Sequence, residues 1–303
     1  MRICSFLPSA TEILYALGLE ESVEGVSYVC DYPPAARTKP VVVNTRMPQT
    51  TDPGETDRLV NEFVSRGESL YKVDLEALER IQPDLIITQD LCHVCAASPG
   101  DLGTSLAALP RAPRVLSLSP RTLADVWNDI RTVGQATGQG SQAEALVEEL
   151  ESRVGAVERA VKGVTNRPRV VCLEWLSPPF IAGHWVPEMV ERAGGMDLMG
   201  RVGEPGFRTD WDKVLGAQPD VVVVMPCGYH LDETVEEFHH MRLPPAWNEL
   251  PAVLTRRVFA VDASSYFSRP GPRLADGVEI LAHLCHPDRA PVPPAADAVE
   301  RLE

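Results

Sequence analysis

Ser141 to Lys162 reads SQAEALVEELESRVGAVERAVK. Its apolar residues fall at Ala143, Val147, Leu150, Val154, Val157 and Val161, at spacings that alternate four and three. That is a single stripe along an amphipathic helix, with Glu and Arg on the remaining faces. Ser141 with Glu144 three residues on forms a capping box, and Gly163 supplies the stop. At 1.5 Å per residue the helix runs about 30 Å, roughly the width of a small domain. It stands at the middle of the chain, between halves that resemble one another, and reads as a rigid connector.

The resemblance is concrete. Asp74–Thr88 is DLEALERIQPDLIIT and Asp210–Val224 is DWDKVLGAQPDVVVV. Each is a short helix capped by Asp, then Gln-Pro-Asp, then an unbroken apolar run, and the two align without a gap. Runs such as Leu85–Ile87 and Val221–Val224 suit parallel strands buried on both faces, which need no polar alternation. Two further strands pair up across the halves, Arg114–Leu118 with Arg257–Val261, and so do the opening ones, Arg2–Phe6 with Arg169–Leu173. Self-similarity at this scale marks a duplicated unit. The expected fold is α/β: two Rossmann-like parallel-sheet lobes joined by a long rigid connector helix. The expected division is 1–120 for the first lobe, 121–164 for a helical linker containing the connector at 141–162, 165–286 for the second lobe, and 287–303 for a poorly ordered Pro-rich tail. Val41 to Tyr71 has no counterpart in the second half and reads as an insertion.

Composition narrows the function. The 303 residues are 44% hydrophobic and 23% charged, with 43 acidic against 28 basic side chains and a net charge of −15. Such a surface repels nucleic acid. No apolar run approaches the roughly 20 residues of a membrane span. The first strand begins at Arg2, which leaves no room for a signal peptide, so a cytoplasmic location is expected; a trimmed N-terminus would instead allow a periplasmic or cell-surface one. Seven cysteines, mostly at strands or strand ends, read as reduced thiols.

Pro8-Ser-Ala-Thr-Glu12 opens a helix with Ser9 as N-cap and Gly18 as its end. Cys92-His-Val-Cys95 has the spacing of a redox motif or of half a zinc site. A tetrahedral site needs two more ligands, and no second C-x-x-C exists, so the pair reads as loop packing beside a pocket. Neither a catalytic set nor a metal site is expected. Aromatic residues are only 6% of the chain, yet Tyr28, Tyr32, Trp175, Phe180, Trp185, Tyr229, Tyr266 and Phe267 all fall after strands, where α/β proteins place ligand sites. Two lobes presenting such loops make a cleft for a large, flat, partly apolar ligand. Arg269 would add a charged donor.

The opening RICSFLPSATEILYALG, the loop VSYVCDYPP, the two QPD strands, the SPPF turn and ASSYFSRPGPR resemble the cobalamin-binding proteins of ABC-type vitamin importers. The resemblance runs from Arg2 to about Leu284. It implies two lobes, a connector helix and non-enzymatic capture of a corrinoid between the lobes, with cobalamin as ligand and no catalytic cofactor. The ligand-contacting segments it implies are Tyr28 to Tyr32 with Cys30, the loop after Gln89 with Asp90, Cys92 and His93, Phe180, and Tyr266, Phe267 and Arg269; His184, Trp185 and Tyr229 are expected at the ligand as well. It further implies an ABC permease as partner, docked through Glu76 and Asp212, which occupy equivalent places in the two copies. The alternatives are a haem or iron–siderophore binder, or a tetrapyrrole chelatase-like enzyme in which His184 or His93 acts as acid–base group.

Overall fold

The computed structural model describes residues 1–48, 50, 52–89, 109–293 and 295–302. It divides into two units, Met1–Pro120 with Trp127–Val147, and Arg121–Val126 with Glu148–Glu303.

The first unit is built on a six-stranded sheet. Its strands are β1 (Ile3–Ser5), β2 (Val23–Ser27), β3 (Val41–Thr45), β4 (Tyr71–Val73), β5 (Leu85–Gln89) and β6 (Arg114–Leu118), in the order β4-β3-β2-β1-β5-β6. All neighbours are parallel except β3 and β4, which pair antiparallel through Val43 and Val73. The expected insertion thus extends one edge of the sheet: β3, helix α2 (Pro53–Ser65) and β4. Cys4, Phe6, Val42, Ile86 and Leu78 of α3 (Leu75–Ile81) form its core. Helix α1 (Pro8–Ala16) starts two residues earlier than expected. Leu7 is the N-cap, Pro8 takes the first helical position where its missing N–H costs nothing, and Ser9 is buried inside the first turn.

The second unit carries β7 (Arg169–Leu176), β8 (Pro179–Ile181), β9 (Met196–Asp197), β10 (Phe207–Arg208), β11 (Val221–Val224), β12 (Val258–Val261) and β13 (Val299–Arg301). The order is β10-β8-β7-β11-β12-β13, with β9 beside β7. Strands β7, β11 and β12 run parallel, as β1, β5 and β6 do in the first unit. All four valines of β11 are fully buried, which is why no polar residue interrupts the run. One face packs with Val214, Phe238 and Trp247. The expected poorly ordered tail departs from the reading. Val299–Arg301 pairs antiparallel with β12 and Leu302 is 4% exposed, because β12 would otherwise be left as an unpaired edge.

Between the sheets in sequence come helix α4 (Leu123–Thr137), a break at Gly138 with φ +77°, and helix α5 (Gly140–Ala160). All six residues of the expected stripe are buried, five on α5 and Val161 just past its end. The capping box does not form as expected: Glu144 instead accepts from Arg131 of α4, at 2.9 Å from Nε and 3.2 Å from Nη2. Further along α5, Arg153 donates to both Asp276 (2.7 Å) and Glu279 (2.9 Å) of α11 (Leu274–Cys285).

Remaining helices of the second unit are α6 (Val186–Arg192), α7 (Trp211–Ala217), α8 (Leu231–His240), α9 (Pro251–Leu254) and α10 (Ala263–Tyr266). The tripeptide Gln-Pro-Asp does the same work in both halves. Gln82 and Gln218 end α3 and α7 in the left-handed conformation, at φ 47° and 50°. Asp74 and Asp210 cap the starts, each accepting at 2.9 Å from the backbone N–H three residues on. Among the described residues no helix is long and apolar enough to cross a membrane.

Candidate functional site

In the second unit, the loop leaving β11 is tied on one side to strand β7 and on the other to the segment leaving β12. Met225 N–H donates to Leu173 C=O (2.8 Å) and Cys227 N–H to Glu174 C=O (3.0 Å). Ser264 N–H donates to Tyr229 C=O at 2.8 Å, joining that loop to the segment after β12. Side chains add to this frame. The rings of Trp175 and Tyr229 meet edge to face, 5.5 Å between centroids and at 76°. His230 Nδ1 lies 3.1 Å from the Asp262 carboxylate, a His–carboxylate pair that sequence spacing does not disclose because 32 residues separate the two.

Asp262 is also the N-cap of α10, accepting from the Ser265 N–H and hydroxyl at 2.8 Å each. Burial opposes its ionisation, but the bonds from His230 and Ser265 outweigh that and hold the carboxyl below its ordinary range. Glu237, in the second turn of α8, stands in the opposite condition. Both its carboxyl oxygens are buried without a hydrogen-bond partner, and burial pushes it up to about 7, with the nearby Tyr229 hydroxyl only partly offsetting this.

The expected contact residues sort into two kinds. Phe180 sits on a strand rather than a loop: β7 continues to Leu176, and β8 folds back so that Trp175 and Phe180 are cross-strand partners, with Arg208 stacked 5.4 Å over the Phe180 ring. Tyr229 and Tyr266 are half-buried, and the Arg273 guanidinium lies 5.5 Å from the Tyr266 ring. Three others turn inward. Phe267 is 2% exposed, Trp185 5% and Arg269 8%. Trp185 Nε1 donates to Phe267 C=O at 2.7 Å, so this pair braces the loops from beneath instead of lining a surface.

His184 precedes α6 in the left-handed region, at φ +54°. Its N–H donates to Glu204 C=O (2.6 Å) and its C=O accepts from Gly203 N–H (2.9 Å). Burial lowers its imidazole below the ordinary value, and the charge of Arg121 adds to the effect. Gly183 before it cannot carry a side chain: a Cβ there would fall 2.2 Å from the Gly206 nitrogen.

In the first unit, Tyr28 and Tyr32 are each 44% exposed on the loop after β2. Cys30 between them is buried at 3%, and the Thr11 hydroxyl, itself bonded to Ser5 Oγ at 2.8 Å, lies 3.1 Å from its sulfur. The thiol expected at the ligand supports the loop from inside. Gln89, ending β5, is likewise buried. Asp90, Cys92 and His93, with Cys95, lie outside the described residues. Glu76 and Asp212 are exposed in the first turns of α3 and α7. None of the five described cysteines is in a disulfide. Among the described residues no group of three or more His, Cys, Asp or Glu is placed to hold a metal ion.

Comparison with known proteins places this geometry. The profile of the family described as periplasmic binding protein matches residues 3–264. A vitamin B12-binding protein of Vibrio cholerae serotype O1 is 25% identical over 92% of this chain and 86% of its own length. An ABC transporter substrate-binding lipoprotein of Bacillus subtilis, YvrC, named as uncharacterized, is 23% identical over 95% of this chain and 80% of its own. Among solved structures, the periplasmic haem-binding protein RhuT of Roseiflexus sp. RS-1, in apo form, superposes with a TM-score of 0.69 at 25% identity, covering 96% of this chain and 99% of its own.

Proposed function

We propose, from the premise that this chain belongs to the periplasmic binding protein family, that it is a non-enzymatic carrier of a corrinoid of the vitamin B12 type. The observation that carries the reading is the match, 25% identical, to a vitamin B12-binding protein along 92% of the chain. Aromatic side chains of the second unit support it chemically. Phe180, Trp175, Tyr229 and Tyr266 offer ring faces and edges to a flat macrocycle, while loop backbone groups offer hydrogen bonds to its amides. Trp185 and Phe267 brace the second unit's loops from inside, and Cys30 and Gln89 are buried within the first unit. Release to an ABC permease, as the family of substrate-binding proteins serves, is the transport role this implies.

The His230–Asp262 pair has the form of an oriented base. Asp262 nonetheless already caps α10 and binds Ser265, so the pair's evident work is to tie two loops together. A second reading, haem as cargo, is favoured by the likeness to the Roseiflexus haem-binding protein. The two part in one measurement. Purified protein is mixed with cyanocobalamin or with haem, desalted, and its visible absorption recorded. Corrinoid bands retained near one per chain, with calorimetric affinity below about 1 µM (roughly −8 kcal/mol), are expected. Haem retained while cyanocobalamin washes away would overturn the corrinoid assignment and leave the family intact.

A further inference from the structure

Four described non-glycine residues have positive φ: Gln82, His184, Gln218 and Arg256. Three need no special account. Gln82 and Gln218 are the C-caps of α3 and α7, and Arg256 lies two residues past α9, positions where a left-handed residue ordinarily closes a helix. His184 stands apart, since it comes before a helix and caps nothing. Its peptide is clamped on both sides by the 203–204 turn, so the conformation is imposed from outside. Glycine would fit that backbone with less strain than histidine does. A side chain kept at such a place has work to do.

His184 Nδ1 is buried with no hydrogen bond, and the nearest ring is Trp185, 5.6 Å away at 63°. Trp185 is itself locked to Phe267, so the imidazole rests against a fixed wall. A walled-off nitrogen is tolerated better as a bare lone pair than as an orphaned N–H. That tautomer leaves the proton on Nε2, on the edge of a side chain that is only partly buried. The outward group is therefore a single neutral donor.

We propose that His184 reads the cargo, its Nε2–H donating to an oxygen acceptor on the ligand's rim, of the kind that the carboxamide side chains of a corrin present. The assignment rests on the carrier reading above and adds to it the residue that recognises an amide carbonyl. Two substitutions separate this role from a packing role. H184G relieves the left-handed strain and removes the donor. H184N tolerates the same backbone and keeps an N–H donor.

The experiment is titration of wild type, H184G and H184N with cyanocobalamin, alongside thermal unfolding of each ligand-free protein. Expected are an affinity about 3- to 10-fold weaker in H184G, the loss of one neutral hydrogen bond, at an unchanged or higher Tm, and recovery to within about 2-fold in H184N. Unchanged affinity in H184G overturns the proposal. So does a fall in Tm that accompanies the affinity loss in both variants, which would make the ring a packing element. Wild type that retains no cyanocobalamin overturns the carrier reading and this assignment together, whereas retention by all three proteins with equal affinity overturns this assignment alone.

Discussion

Asp220 grips Arg169 three times: its carboxylate accepts from the Arg169 backbone N–H at 2.9 Å, from Nε at 3.0 Å and from Nη2 at 2.9 Å. In return Asp220 N–H donates to Arg169 C=O at 2.8 Å. The first half repeats the backbone part with Asp84 and Arg2, at 2.8 Å in both directions. The last residue of each Gln-Pro-Asp thus clips the start of the central strand to the strand beside it. The side-chain fork belongs to the second half.

Asp220→Ala should lower stability by about 1–2 kcal/mol, since the fork is charge-assisted but partly open to solvent. Arg169 holds the Asp220 carboxyl below its ordinary value, against the opposing effect of burial. A depressed acid contributes stability above its unfolded pKa, near 4, and loses it as pH falls through the lower folded value. Chemical denaturation at pH 7 and pH 3 checks this. The gap between wild type and Asp220→Ala should narrow at the lower pH, and a gap that widens would rule the clip out as the source.

Glu237 predicts the opposite slope. Its buried, unpartnered carboxyl titrates near 7, above the unfolded value near 4.3. Ionising it in the fold is costly, so the stability it permits is complete below the unfolded pKa and declines as pH rises toward 7. The groups near it are Tyr229 in the preceding loop and Glu233 one turn earlier on α8; β12, against which α8 packs, carries no ionisable side chain, and β13 carries Glu300 and Arg301. Glu237→Gln should match wild type at pH 4.5 and exceed it by about 1–2 kcal/mol at pH 8. Melting curves that stay parallel at both pH values would show the carboxyl to be solvated.

Gly183→Ala should damage both stability and cargo binding. The added carbon would meet the Gly206 nitrogen, the Pro205 carbonyl carbon and the Glu204 oxygen, all backbone and none able to swing aside. A loss of about 2 kcal/mol or more is expected, with weaker retention of cyanocobalamin because His184 moves with the turn. A variant as stable as wild type would mean that the 203–206 turn yields easily.

Glu76 and Asp212 offer a test of partner docking. Each is exposed in the first turn of a short helix, where a carboxylate is worth about 0.3–1 kcal/mol to the helix alone. Replacing both with Lys should therefore cost a little stability whatever their role. If they dock a permease, the variant loses binding to permease-containing vesicles at low salt, where surface charge pairs count most, while cargo affinity stays intact. Equal binding by wild type and the double-Lys variant would dismiss the docking role.

The periodic parts of this protein were legible in its residues. The stripe from Ala143 to Val161, the two aligned Gln-Pro-Asp segments and the unbroken valines of β11 each state a local preference strong enough to survive folding, and the parallel trios β1-β5-β6 and β7-β11-β12 follow from them. Residue type also marked part of the strand-end segments: Tyr28, Tyr32, Tyr229 and Tyr266 follow strands, whereas Trp175 and Phe180 lie on β7 and β8. Sequence could not say which of those rings face outward. Trp185 and Phe267 look like Tyr229 and Tyr266 until the Nε1 bond to a carbonyl 82 residues away turns the first two inward. His230 with Asp262, the return of Val299–Arg301 to β12, and the left-handed backbone of His184 likewise depend on partners distant in the chain. Local spacing sets helix, strand and cap because those hydrogen bonds close within a few residues; long-range contacts are set by which surfaces remain unsatisfied once the elements have formed, and that is decided only in three dimensions.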